Sequence, residues 1–486
     1  MADESSKEPV ARVSIKPPPR GLAVLMVLGP GLVWCGEYIG SGEVILATRV
    51  GAILGITVLW APLFATFAKF WIGLAGAHYT VCTGEGMVDM ISRTPGPRNW
   101  VIWIVFVGQV FAGAIGTGAL AGAASKFLAY FVPVPDDYVF LLGWGLTLVF
   151  IAVVWVGEFQ ILKLIMSVLV AVIILGVFTV TYSIWPGWSA VLHGSFGFQL
   201  NEPPAWAQVG PSAVTSAWGE ILPLLGWAAG GFASQVWYTY WILGAGYGMA
   251  DGRGYGNPAD LDRLRRVDEE DARRLKRWCG IVTNDAILAL VIGVVVTAAF
   301  MIAGAGVLGP AQIAPEGADV GLELSRLFSE EWGQIGAFMF MLAGLAALTS
   351  TLMGQLAGWP RLLADCARLL FPPVARLPWK TQFRAILVCF ALVNVGVVYI
   401  FGDKPVILVK LAAVFDGLLL TPLQAFATAV TLYVVMPRMF AEKARQILRP
   451  NPIIACGLVL AFVLFSYVCV SLMPDVVRQL WDAVTG

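Results

Sequence analysis

Long apolar runs separated by short polar connections cover most of this chain. Each run approaches or exceeds the roughly 20 residues that a helix needs to cross the hydrocarbon core of a bilayer. The pattern predicts an all-α membrane protein with about eleven transmembrane helices. The predicted spans are residues 21–50, 51–80, 100–131, 138–157, 161–185, 219–248, 279–308, 333–358, 384–402, 405–436 and 452–473.

The composition agrees with this pattern, because 58% of the residues are hydrophobic and only 13% are charged. The formal net charge is zero, so nothing points to nucleic acid as a partner. Seven cysteines lie scattered without paired spacing, which argues against a disulfide framework and a zinc site. The partner that the composition does imply is a lipid bilayer.

Lysine and arginine are unevenly divided between the connections. The connection after the sixth span carries eight of them between Arg253 and Arg277, whereas "VPVPDD" after the third span carries none. Cytoplasmic loops are the ones enriched in these residues. We therefore expect a multi-pass protein of the cell membrane whose N-terminus is cytoplasmic.

Two spans are interrupted near their middles, the first by "CGEYIGSGE" and the sixth by "GWAAGGFASQ". The sixth span follows the first by five, and a five-span unit repeated in tandem has inverted topology. Corresponding breaks in two inverted halves are a sequence sign of a transporter's central site. We predict that the first span is non-helical from Gly36 to Glu43 and the sixth from Gly230 to Gln235.

This repeat divides the chain into five parts. They are a disordered cytoplasmic tail at 1–20, a first five-helix repeat at 21–185, an outer loop at 186–218, a second, inverted five-helix repeat at 219–436, and the eleventh helix with a C-terminal tail at 437–486.

A broken helix frees backbone carbonyls, and carbonyls with a carboxylate suit a hard cation. Glu43 lies in the first break, so we predict that it is the central ligand of a cation. Gly40 and Ala233 are expected to supply freed carbonyls, and Gln235 a side-chain oxygen.

Other polar residues near the breaks have weaker predicted roles in substrate binding or coupling: Glu37, Ser41, Ser234 and Asp416. For Asp416, an ion pair with a neighbour such as Lys410 is an equal alternative. Asp285 is expected to be a helix-start residue of the seventh span.

Several fragments resemble the Nramp family. "GPGLVWCGEYIGSGEVILATRVGA" is similar to its first span, "CTGEGMVDMI" to the stretch after its second, "LKLIMSVLVAVIIL" to its fifth and "LAGLAALTSTLMGQLAG" to its eighth. The resemblance is to a distant, Nramp-related branch. It implies a leucine-transporter-type fold of two inverted five-helix repeats with helices 1 and 6 broken, and a metal-ion transporter that is often proton-coupled.

The departures from that family concern its metal and proton residues. The family's Asp-Pro-Gly-Asn falls on Gly40 to Glu43 here, and its Ala-x-x-Met-Pro-His is replaced by "GGFASQVW". The thioether that favours soft metals is therefore absent. So are the span-6 histidine and the span-3 acid of the family's proton route, from which we predict that coupling does not follow that route.

These features favour a secondary transporter of a divalent cation, Mg²⁺ or Mn²⁺, that works by alternating access. The alternative is a cation-coupled symporter of a small organic solute, which the aromatic residues near the breaks would suit. The sequence contains no nucleophile–base motif or phosphate loop, so we expect neither an enzyme nor a cofactor beyond the transported ion. The sequence leaves the oligomeric state open.

Overall fold

The computed structural model describes residues 14–24, 28–208, 214, 216–314, 320–401, 405–474 and 476–478. Within these ranges, nine helices are long and apolar enough to cross a membrane. The first and sixth spans are each split into two shorter helices, which brings the spans to the predicted eleven. The helices are α1 Pro30–Tyr38, α2 Thr48–Leu54, α3 Trp60–Thr83, α4 Met87–Ser92, α5 Trp100–Ala129, α6 Val139–Val156, α7 Phe159–Ser183, α8 Trp188–Phe196, α9 Ala217–Trp227, α10 Phe232–Ala245, α11 Leu261–Arg265, α12 Glu269–Ala303, α13 Val320–Leu370, α14 Pro372–Ala375, α15 Trp379–Phe401, α16 Pro405–Ala412, α17 Thr421–Val430, α18 Glu442–Ile447 and α19 Pro452–Tyr467.

The break in the first span is shorter than the sequence predicts. Helix α1 continues through Tyr38, and the chain is extended at Ile39, where ψ is 92°. A π-helical segment, Gly42–Ala47, then leads into α2. The predicted non-helical stretch is therefore wrong at both ends, since Glu43 lies in the π-helical segment and the residues from Gly36 to Tyr38 are helical.

Glycine is required inside this break because spans 6 and 8 lie directly against it. A Cβ atom at Gly40 would come within 2.2 Å of Thr351 Oγ1, and one at Gly42 within 2.7 Å of Trp227 Cβ. The first contact is with α13 and the second with the end of α9. The glycines thus allow the broken backbone of span 1 to approach both neighbours.

The break in the sixth span lies between α9 and α10. Ala229 and Gly230 have φ values of 54° and 73°, so two successive residues in the left-handed region end α9. Phe232 then begins α10. The predicted non-helical range from Gly230 to Gln235 is wrong from Phe232 onward, because these residues belong to α10.

The two broken spans lie at the centre of the bundle. Helix α1 packs against α7, α10, α12 and α13, and the largest helix–helix contact joins α13 to α5. The outer spans expose large apolar side chains such as Leu148, Leu175 and Val470. Those exposed faces suit a lipid environment.

Part of the predicted N-terminal tail contacts the start of α12. Residues 1–13 of that tail lie outside the described part of the chain, as do residues 479–486 of the predicted C-terminal tail. Ile15 is buried, and its N–H donates to Asp271 at 3.1 Å. The indole N–H of Trp278 donates to the Lys16 carbonyl at 2.9 Å.

Candidate cation site at the helix breaks

A small cavity lies where the two helix breaks meet. It has room for about one water molecule or one bare ion. Its polar lining comes from spans 1, 6, 8 and 10, so four separately positioned elements converge on it. The residues that line it are Glu37, Tyr38, Ser41, Gly42, Trp227, Gly230, Gly231, Ser234, Trp237, Thr351, Gln355 and Asp416.

Glu37 reaches this cavity from the last turn of α1. Its carboxylate accepts a hydrogen bond from the Ser234 hydroxyl, which in turn accepts one from the Trp34 indole N–H at 3.1 Å. Trp34 is held by stacking on Tyr238, with ring centroids 4.4 Å apart. Helix α1, the first half of span 1, and helix α10, the second half of span 6, are therefore joined at the cavity by the hydrogen bond between the Ser234 hydroxyl and the Glu37 carboxylate.

Asp416 reaches the cavity from the π-helical segment Ala413–Leu419 of span 10. One carboxylate oxygen, Oδ1, accepts hydrogen bonds from the Gln109 amide at 2.7 Å and from the Ala233 N–H at 3.1 Å. The other oxygen, Oδ2, is buried and has no hydrogen-bond partner among the described residues. A carboxylate oxygen in that situation is a ready ligand for a cation, because a buried charge without a partner is costly.

The alternative ion pair between Asp416 and Lys410 does not form. Lys410 instead pairs with Glu220 at 2.7 Å, and Glu220 also pairs with Arg49 at 2.9 Å. All three are almost fully buried. This cluster joins α2, α9 and α16 and leaves Asp416 to the cavity.

Glu43, the predicted central ligand, does not line the cavity in this structure. Its carboxylate accepts the N–H of Gly40 at 2.9 Å and the Thr297 hydroxyl at 3.3 Å. It therefore satisfies an amide freed by the break and faces α12. The ligand role of Glu43 stays a prediction, and it requires the side chain to leave these partners.

The predicted role of Ala233 changes because it lies in the first turn of α10. Gln235 lies in the same turn, but its side-chain oxygen is buried without a hydrogen-bond partner among the described residues, so its ligand role stays a prediction. At a helix start the N–H groups are free and the carbonyls are used within the helix. Ala233 accordingly presents its N–H to Asp416, and its carbonyl is not one that the break frees. Gln235 donates its side-chain amide to the Ala229 carbonyl at 2.7 Å, which also satisfies part of the break.

Sequence reasoning missed Lys69, a lysine in the apolar second span. Its ammonium donates to the carbonyls of Leu225, Gly226 and Gly230, at 3.0, 2.5 and 3.1 Å. The signal was present in the sequence, because a lysine within "FATFAKFWIGL" is costly in a membrane without partners.

Asp285 also differs from its predicted role. It lies well inside α12, and its carboxylate accepts the N–H groups of Gly29 and Gly31 at 3.1 and 2.5 Å. It thus satisfies the free amides at the start of α1, not those of its own helix.

The donor set at the cavity is made of oxygen atoms. It comprises two carboxylates, the hydroxyls of Ser41, Ser234 and Thr351, and the Gln355 side-chain oxygen, which is buried without a partner. Among the described lining residues there is no thiol, thioether or imidazole. The described part of the chain also has no cluster of three or more His, Cys, Asp or Glu residues placed to hold a metal. A hard cation that keeps some of its water fits this arrangement better than a soft one.

Known proteins similar to this chain include metal-ion transporters. The model described as Natural resistance-associated macrophage protein-like (Nramp) matches residues 260–469. Over this segment, which is less than half of its length, the chain resembles the Nramp family. Over 224 residues it is 26% identical to an uncharacterized protein of Pasteurella multocida, covering 44% of this chain and 47% of that protein. Over 104 residues it is 30% identical to the divalent metal cation transporter MntH of Yersinia enterocolitica, covering 21% of this chain and 25% of MntH. The chain therefore aligns with less than half the length of either relative.

Solved structures confirm the predicted leucine-transporter-type fold. The manganese transporter of Eremococcus coleocola superposes with a TM-score of 0.63 at 15% identity, over 96% of this chain and 94% of that one. A nucleobase-cation-symport-1 family transporter superposes with a TM-score of 0.52 at 13% identity, over 93% of both chains. The long apolar helices, together with the Nramp-like match over residues 260–469, indicate a multi-pass membrane protein. The cytoplasmic position of the N-terminus stays a prediction.

Proposed function

We propose that this protein is a secondary transporter of divalent metal cations, with Mg²⁺ or Mn²⁺ as substrate. The observation that carries the proposal is the free Oδ2 atom of Asp416, which lines a cavity between two broken helices together with the Glu37 carboxylate. The match to the Nramp model and the similarity to MntH support the class of substrate. Similarity to these transporters also agrees with the expectation that the chain is not an enzyme.

The proposed ligands are Glu37 and Asp416, assisted by the hydroxyls of Ser41 and Ser234. Glu43 adds a third carboxylate near the same centre, and becomes a direct ligand if its side chain turns from Thr297. The carbonyl of Gly40, predicted to be free, instead accepts the N–H of Val44 at 2.9 Å, and its own N–H donates to Glu43. A divalent ion would balance the charge of the two cavity carboxylates.

Alternating access would be a motion of the broken spans relative to the rest of the bundle. Helices α1 and α10 meet at the cavity through Glu37 and Ser234, so an ion bound there would contact both helices. A ligand can shift a conformational equilibrium only if it binds the two states differently. The ion would provide that difference by bridging elements that separate when the site opens.

The competing function is a cation-coupled symporter of a small organic solute. Three aromatic side chains, Tyr38, Trp227 and Trp237, line the cavity and would suit such a solute. The room for about one water molecule favours an ion in the conformation described here.

Uptake by proteoliposomes that contain a metal-sensitive dye tests the proposal. We expect wild-type vesicles to take up Mg²⁺ or Mn²⁺ faster than protein-free vesicles, and Glu37→Gln and Asp416→Asn to reduce that uptake at least tenfold. The exposed residue Glu158 provides a control, Glu158→Gln, that makes the same chemical change away from the cavity. Equal uptake by wild-type and protein-free vesicles for Mg²⁺, Mn²⁺ and Ca²⁺ would refute the proposal.

A further inference from the structure

The carbonyl groups freed by the break in the sixth span already hold a cation. The Lys69 ammonium has three N–H donors, and each finds a carbonyl, from Leu225, Gly226 or Gly230. The last turn of α9 ends in carbonyls with partial negative charge, where a cation is favoured. Lys69 lies where a metal ion could otherwise be coordinated by backbone oxygens.

This ammonium is sealed from solvent and lacks a carboxylate partner. Lys69 is only 1% exposed. Within the described part of the chain, no carboxylate lies at ion-pair distance from its nitrogen. The Phe465 ring covers the other side, with its centroid 5.3 Å from the nitrogen. The break carbonyls are therefore its polar partners, which distinguishes it from Lys410 in the ion pair with Glu220.

The same ammonium contributes to the net charge of the centre, by which we mean Glu37, Glu43, Asp416 and Lys69. Gly230, whose carbonyl accepts from this ammonium, lines the cavity together with Asp416. Asp416 and Glu43 both lie near enough to attract the ammonium without an ion-pair contact. With Glu37, Glu43 and Asp416 ionised and Lys69 charged, the centre carries two net negative charges, which one divalent cation would neutralise. Without Lys69 it would carry three, and a divalent ion alone would leave one uncompensated.

We propose that Lys69 is a resident cation of this transporter: it occupies a carbonyl site that would otherwise bind a monovalent cation, and it sets the centre's charge to suit one divalent ion. The second part rests on the proposed function, whereas the first does not. Lys69 is on this account a residue that determines ion specificity without contacting the transported ion.

Cavity-forming and cavity-filling variants of Lys69 test the first part on the purified full-length chain. Lys69→Ala removes the ammonium and leaves space, whereas Lys69→Met removes the charge and keeps the volume. Thermal stability is measured in choline, sodium, potassium and methylammonium chloride at equal ionic strength. Lys126→Ala, at the end of α5, controls for the general effect of losing a lysine.

We expect sodium, potassium or methylammonium to raise the melting temperature of Lys69→Ala relative to choline, which is too large for the vacated space. Wild type, Lys69→Met and Lys126→Ala should melt at the same temperature in all four salts. A Lys69→Ala protein that melts alike in all four salts would overturn the proposal. So would a Lys69→Met protein that responds as Lys69→Ala does, because the space would then not be what admits the cation.

Uptake of divalent cations tests the second part. Lys69→Met should lose at least tenfold in uptake, and Lys69→Ala should regain uptake when methylammonium is present on both sides of the membrane. Wild-type uptake by Lys69→Met would overturn the specificity role, including where Lys69→Ala fails to fold. If wild type itself transports no divalent cation, the proposed function fails, yet the melting temperatures still decide whether Lys69 fills a cation site.

Discussion

Replacing Asp416 with asparagine is the substitution that most sharply probes the cavity. Asp416→Asn preserves the shape of the side chain, and its carbonyl oxygen can still accept from Gln109 and Ala233, as Oδ1 does now. The amide NH₂ then takes the place of Oδ2. A hydrogen-bond donor would face the cavity where an acceptor without a partner faces it in the native protein.

The expected loss of affinity for a divalent ion follows from the loss of the negative charge on Asp416. Already at about 4 Å, farther than the coordination distance expected here, a divalent ion gains roughly 8 kcal/mol from a carboxylate at an effective dielectric constant of about 20. Most of that gain is offset by removing water from the ion and the carboxylate. If about a third survives, the loss is about 2.7 kcal/mol, which corresponds to an affinity about 100-fold weaker.

Calorimetric titration of Mn²⁺ and Mg²⁺ into the purified protein measures this affinity. Glu43→Gln is the informative comparison, because both Glu43 oxygens have partners within the chain. If Glu43 acts only through its charge, Glu43→Gln should weaken binding less than Asp416→Asn does. Affinity of Asp416→Asn within threefold of wild type would refute the reasoning, and loss of binding in Glu43→Gln alone would return the central role to Glu43.

Three further predictions concern the framework around the site and the coupling of transport. Glu220→Gln removes the carboxylate that pairs with both Arg49 and Lys410, so we expect a loss of about 3–5 kcal/mol, seen as a clearly lower melting temperature; an unchanged one would mean that the cluster is solvated in the membrane. Asp285→Asn weakens the hydrogen bonds to the start of α1, including the one to Gly31, and should cost about 1–3 kcal/mol; equal stability of variant and wild type would contradict that capping role. Metal uptake should not acidify the vesicle lumen stoichiometrically, because the family's span-6 histidine and span-3 acid are absent here; a fixed ratio of protons to metal, followed with a pH-sensitive dye, would show this prediction to be wrong.

The sequence was informative about where the centre lies. Glycines combined with charge inside two apolar runs predicted both breaks, because backbone freed in a membrane must be covered by protein. Glu37, Ser41, Ser234 and Asp416, all named from the sequence, line one cavity. Their convergence follows from the inverted repeat, which brings corresponding breaks together.

The direction of each side chain was beyond what the sequence pattern contains. Glu43 and Glu37 are six residues apart, but the π-helical segment that begins at Gly42 changes the angular position of Glu43. Whether Lys410 pairs with Asp416 or Glu220 depends on the rotation of span 10 against α9, which local spacing does not encode. Lys69 was missed because its carbonyl partners lie about 160 residues away.

Anomalous diffraction from crystals soaked in Mn²⁺ would show directly whether the cavity between Glu37 and Asp416 binds the metal ion. We expect one strong peak in the cavity between spans 1, 6 and 10, within about 2.0–2.6 Å of Asp416 Oδ2 and a Glu37 oxygen. We also expect no manganese at the carbonyls that Lys69 occupies. A peak beside Glu43 and Thr297, or at those carbonyls, with none between Glu37 and Asp416 would contradict the proposed site.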